Sequence, residues 1–135
     1  MSDSPEYVTV ELPFIEQLMV QGWQFIPGDA HIPAVTERGS FREVLLEDRL
    51  RAAIRRINLD DAGCEWLDEQ RVKQAVDALR RLGPGSHRLM EANKFATDLL
   101  LTGTTVEGDQ ELHGGKGVTV RYIDFTHPER NDFLV

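Results

Sequence analysis

The chain has 135 residues, 41% apolar and 28% charged, with a formal net charge of −8. This fits one globular domain with a sizeable core, and no run reaches the roughly 18 apolar residues that cross a bilayer. The start Met-Ser-Asp-Ser-Pro-Glu lacks a secretion-signal layout, and the single cysteine, Cys64, excludes an internal disulfide, so the expected location is the cytoplasm. The charge is uneven: residues 1–41 carry six acids against Arg38 alone, whereas 42–82 balance nine acids with nine bases. An acidic surface argues against this segment alone gripping a phosphate backbone, and suits docking to basic protein partners.

In chain order, Leu12, Ile15, Leu18 and Met19 at helical spacing predict a helix over about 10–21, with Pro13 tolerable only in its first turn. Gly22 ends it, and Trp23–Ile26 reads as a short extended piece before a loop over 28–40. A second helix over about 44–57 has the apolar stripe Leu46, Leu50, Ile54 and Ile57, with Asn58 as a left-handed stop. The third, about 69–82, has Asp68 as N-cap, Leu67 and Val72 as a staple across it, and Val72, Val76, Leu79 and Leu82 facing inward. Gly83-Pro84-Gly85 stops it, Ser86 caps a fourth helix running to about 102, and the short connections predict neighbouring helices.

After Gly103 the period changes. Thr104–Val106 is a short strand, Gly108 to Gly117 is rich in turns, and Val118–Phe125 is a strand with apolar side chains on both faces. Such a strand is expected to be covered on both sides. The closing segment Val118–Val135 reads as a strand, a polar turn and the first residues of another strand, as though the chain were the front of something longer. The expected class is therefore α/β or α+β, with helices packed on an incomplete mixed sheet.

Few residues point to chemistry. His113-Gly-Gly-Lys-Gly117 is no phosphate loop, because Gln110 stands where the first glycine would be and Gly117 where Ser or Thr would be. His31, His87, His113 and His127 lie in separate segments without paired ligand spacing, so no metal cage is expected. Arg49, Arg51, Arg55, Arg56, Arg80, Arg81 and Arg88 are matched by acids, which favours a salt-bridged face over a nucleic-acid patch. Trp23 and Trp66 read as packing residues. Asp124, alone among apolar neighbours, is the most suggestive carboxylate; its structural alternative is pairing with nearby backbone or with Arg121. These residues alone do not define a reaction.

Several signatures nevertheless resemble, in the right order, the amino-terminal region of the restriction (R) subunit of type I restriction–modification enzymes. They are Gln21-Gly-Trp-Gln-Phe25, the helix Glu43–Asn58, Glu91-Ala-Asn-Lys-Phe95, Leu99–Val106 and, most specific, Val120-Arg-Tyr-Ile-Asp-Phe-Thr-His-Pro-Glu-Arg-Asn-Asp-Phe-Leu-Val135. The resemblance implies the front of a PD-(D/E)XK nuclease domain. In the full-length protein it implies ATP- and Mg²⁺-dependent cleavage of unmodified double-stranded DNA, with methylation (M) and specificity (S) subunits as partners. The metal-holding Pro-Asp and Glu-x-Lys strands and the ATP motor would lie downstream, so this piece alone is expected to be inactive and to bind neither cofactor. What the resemblance leaves within the chain is an accessory acid on the first helix, Glu16 or Glu11, that helps orient a metal-bound water. The alternative is a non-catalytic module that docks on a restriction–modification complex.

Overall fold

A computed structural model describes residues 4–82 and 88–135. It forms an α+β structure in two compact units, one of residues 1–46 with 132–135 and the other of residues 47–131.

In the first unit the helix begins earlier than its apolar period predicts. A wide π-helical stretch, Tyr7–Glu11, runs directly into α1, Leu12–Val20. Pro13 explains the wide turn, since its ring would clash with the carbonyl four residues back in a regular α-helix. The Leu12 N–H instead reaches back to the Tyr7 carbonyl. Leu12, Ile15 and Leu18 are half-buried, whereas Met19 is exposed. Trp23–Ile26 is extended as predicted and meets the closing residues in parallel: Gln24 N–H donates to Phe133 O, Val135 N–H to Gln24 O and Ile26 N–H to Val135 O. The Trp23 and Phe133 rings pack at 5.1 Å between centroids. The loop over 28–40 contains a single 3-10 turn, Pro33–Thr36.

The second unit holds the buried core. Helix α2, Glu47–Ile57, buries Ala53, Ile54 and Ile57 and lies against α3, Glu69–Arg80, which buries Val72, Ala75 and Val76. Glu47 and Asp48 open α2 and Arg55 and Arg56 close it, which suits the helix dipole. Asp68 caps α3 by accepting the Arg71 N–H at 2.8 Å, and Leu67 joins Val72 in the core as the staple requires. Helix α4, Leu89–Thr102, contributes the partly buried Leu99. The predicted stop at Gly83-Pro84-Gly85 and cap at Ser86, and also His87, lie outside the described residues.

Strand β1, Thr104–Val106, pairs antiparallel with β2, Val118–Val120, with Thr104 opposite Val120 and Val106 opposite Val118. Between them stands a helix that the glycines conceal: α5, Gln110–His113, capped by the Asp109 carboxylate and ended by Gly114 in the left-handed region. Burial of Val106, Val120 and Tyr122 against α3 completes the core. The expected strand over 118–125 stops at Val120, and its second face is covered only in part: Ile123 packs against the core while Phe125 is exposed. Asn58 accounts for the early stop. Its Nδ2 donates to Ile54 O and Arg121 O, and its Oδ1 accepts the Arg121 N–H at 2.7 Å. It therefore ends α2 through its side chain rather than by a left-handed backbone, and occupies the main-chain groups of Arg121.

Candidate functional site

Within the second unit the specific segment 120–131 is organised around Asp124. The Asp124 Oδ1 accepts the N–H groups of Thr126 at 3.0 Å and His127 at 2.7 Å. Asn131 clamps the same residue from the far side of the turn: its Oδ1 accepts the Asp124 N–H and its Nδ2 donates to the Asp124 carbonyl. His127 Nδ1 and an Arg130 Nη1 each lie 3.7 Å from the second carboxylate oxygen. Burial, the largest influence, pushes the Asp124 carboxyl up. The His127 and Thr126 N–H groups, with the His127 and Arg130 side chains nearby, outweigh it, and the group titrates below its ordinary value. The structural role is thus realised as pairing with nearby backbone, the Thr126 and His127 N–H groups, with Arg130 and His127 rather than Arg121 as the side chains close to the carboxylate. The 3-10 turn Pro128–Arg130 is tied to α2 by Arg56, whose Nε donates to the Arg130 carbonyl at 2.6 Å.

Glu11 and Glu16, in the first unit, are both exposed. Five residues of helix rotate them about 140° apart, so they cannot serve one site together. Among the described residues no group of three His, Cys, Asp or Glu side chains converges to hold a metal ion.

The remaining candidates resolve into packing. Of the arginines expected on a salt-bridged face, Arg51 and Arg55 converge on Glu69 and Arg80 bonds Glu47 and Asp77, whereas Arg56 bonds a main-chain carbonyl. The Arg80 hydrogen bond holds the Glu47 carboxyl below its ordinary value. Trp66 is partly buried against the core, with the His113 ring at 4.5 Å and the Arg71 guanidinium over it at 5.7 Å. Arg71 also donates to the carbonyls of Glu107 and Gly108, fastening α3 to the β1–α5 connection. Cys64 is free and exposed.

A cleft of about 540 Å³ opens between β2 and the turn that follows α2, lined among others by Asn58, Asp60, Asp61, Trp66, His113 and Thr119. Composition gave no sign of it, because its walls lie some 60 residues apart in sequence. Asn58 and Asn131 were equally hidden as organisers. The only local signal was an asparagine placed at a helix end and another beside a turn.

The description "Type I restriction enzyme R protein N terminus" matches residues 3–135. The chain belongs to this family. It is 28% identical over 130 residues to a Methanocaldococcus jannaschii protein named as a type I restriction enzyme MjaIXP endonuclease subunit. That match covers 96% of this chain and 12% of the relative's length. No solved structure gives a significant match.

Proposed function

We propose that this chain acts as the N-terminal part of the R subunit in an ATP- and Mg²⁺-dependent type I restriction endonuclease that cleaves unmodified double-stranded DNA. The observation that carries this reading is the family match over residues 3–135, joined by a relative whose name is that of an endonuclease subunit. In this reading residues 1–135 form the front of the nuclease domain, working in the cytoplasm with methylation and specificity subunits. The metal-binding carboxylates and the ATP motor belong to sequence outside these residues, and the segment has no cleavage activity alone. When bound, Mg²⁺ polarises the scissile phosphate and activates water.

Glu16, or else Glu11, is proposed as an accessory acid that orients that water. The exposure of both carboxylates on the first helix supports access to a substrate. In the assembled enzyme, Glu16→Gln should lower DNA cleavage about 100-fold while ATP hydrolysis continues at its normal rate. Unchanged cleavage by both Glu16→Gln and Glu11→Gln would remove this role. A plasmid-nicking assay of the 135-residue chain with Mg²⁺ should give no product. Nicking there, or an assembled enzyme that fails to cut unmodified DNA, would overturn the reading.

A further inference from the structure

The outer edge of β2 carries an observation that DNA cleavage does not use. The Val120 carbonyl points toward β1, since an ideal Cβ on Gly103 would lie 2.4 Å from its oxygen. Main-chain groups alternate sides along a strand, so Thr119 and Arg121 direct their N–H and C=O to the opposite edge. At Arg121 that edge is filled by Asn58, whose side-chain amide donates to the carbonyl and accepts the N–H as a peptide group of a neighbouring strand would. Two residues earlier, at Thr119, no described strand pairs with this edge, since β2 pairs with β1 alone among the described residues. Thr119 is exposed and faces the cleft of about 540 Å³.

We propose that this cleft is a strand-addition site for an extended, basic peptide segment of a partner protein. Thr119 would supply the main-chain hydrogen bonds, continuing the ladder that Asn58 begins, and alternate side chains of the peptide would enter the cleft. Charge selects the partner. Asp60 and Asp61 line the cleft opposite β2. One oxygen of Asp60 is engaged by the Ala62 and Cys64 N–H groups, which fixes the carboxylate in place, and Asp61 is exposed. Arg121 is the one Lys or Arg on the lining, and its side chain is exposed. A Lys or Arg on the incoming strand meets these carboxylates, whereas a nucleic-acid backbone is repelled by them. The apolar wall of Ile57, Leu59 and Leu112 accommodates the aliphatic stem of such a side chain.

The 135-residue chain, isotope-labelled, can be titrated with a capped heptapeptide of alternating valine and lysine, and its amide spectrum followed. Saturable shifts at Val118 and Thr119, with slowed hydrogen exchange of the Thr119 amide, are expected. A peptide with glutamate in place of lysine should bind about tenfold more weakly. Thr119→Pro, which removes the outward N–H while also fixing φ in the strand, should weaken binding about fivefold. Should that variant not fold, the double variant Asp60→Asn, Asp61→Asn should remove the preference for lysine over glutamate. Absence of saturable shifts, equal binding of both peptides, or concentration-dependent Thr119 shifts without peptide (a second copy on the same edge) would overturn the proposal. The readout involves no DNA, so its failure leaves the nuclease reading standing, and the reverse also holds.

Discussion

Removing the Tyr122 hydroxyl should make the protein less stable near neutrality and yet relatively more stable in strong alkali. Tyr122 is buried, and its hydroxyl donates to the Ala75 carbonyl of α3 at 2.6 Å. Burial raises the phenol from 10.0 to about 12, against a smaller opposing effect of a hydrogen bond with the Thr104 side chain. Tyr122→Phe loses the hydrogen bond to Ala75 and the one with Thr104, a net cost of about 1–1.5 kcal/mol near pH 8. Above the unfolded pKa the unfolded chain gives up its proton while the native state keeps it, so wild-type stability falls as pH rises from 10 toward 12. That loss reaches about 1.4 kcal/mol near pH 11, enough to cancel the hydroxyl's contribution. Urea unfolding of both proteins across this range should therefore give curves that converge and cross near pH 11. Curves that stay parallel would refute the assignment of a buried, proton-retaining phenol at this position.

Other substitutions test the remaining supports. Ile54→Ala, at a fully buried site between α2 and α3, should cost about 2–5 kcal/mol in urea unfolding with an unchanged m-value. Gly103→Ala should destabilise by more than the usual ~1 kcal/mol of a glycine change, because φ is +81° and the new methyl would meet the Val120 carbonyl. Asp124 has a depressed pKa, so its stabilisation is present above the ordinary 3.8 and disappears as pH falls through its lower folded value. Asp124→Asn should flatten that acid limb in a pH series of thermal unfolding.

The second unit was the more legible in sequence because its signals are local. Asp68 and its staple partners lie within one turn of one another, and the apolar periods of α2 and α3 survive tertiary packing with small changes such as the addition of Ala75. What could not be read depends on distant partners. Whether Val118–Phe125 continues as a strand is decided by Asn58, 63 residues away from Arg121, through side-chain amide geometry rather than apolar pattern. The turn residues between β1 and β2 conceal α5 because Asp109 as a cap outweighs the glycines that follow. At the candidate site, the buried carboxylate of Asp124 was identifiable by its apolar company, but its cationic neighbours were not. Arg121 is closer in sequence, while Arg130 is brought near by the turn that Asp124 itself nucleates. The cleft beside Thr119 has no sequence signature, since its walls meet only when the hairpin closes.

The parallel pairing of Gln24 with Leu134 joins residues 110 positions apart, with all of the second unit between them. Closing so long a loop from an open chain costs several kcal/mol of entropy, and three hydrogen bonds return less than that. Prior folding of residues 47–131 shortens the effective loop and makes the closure affordable. During synthesis, Trp23–Ile26 must then wait until residues 133–135 have emerged. The first unit is consequently expected to form last and open first, with an early loss of Trp23 fluorescence protection before helices α2 and α3 melt as the kinetic mark of that order.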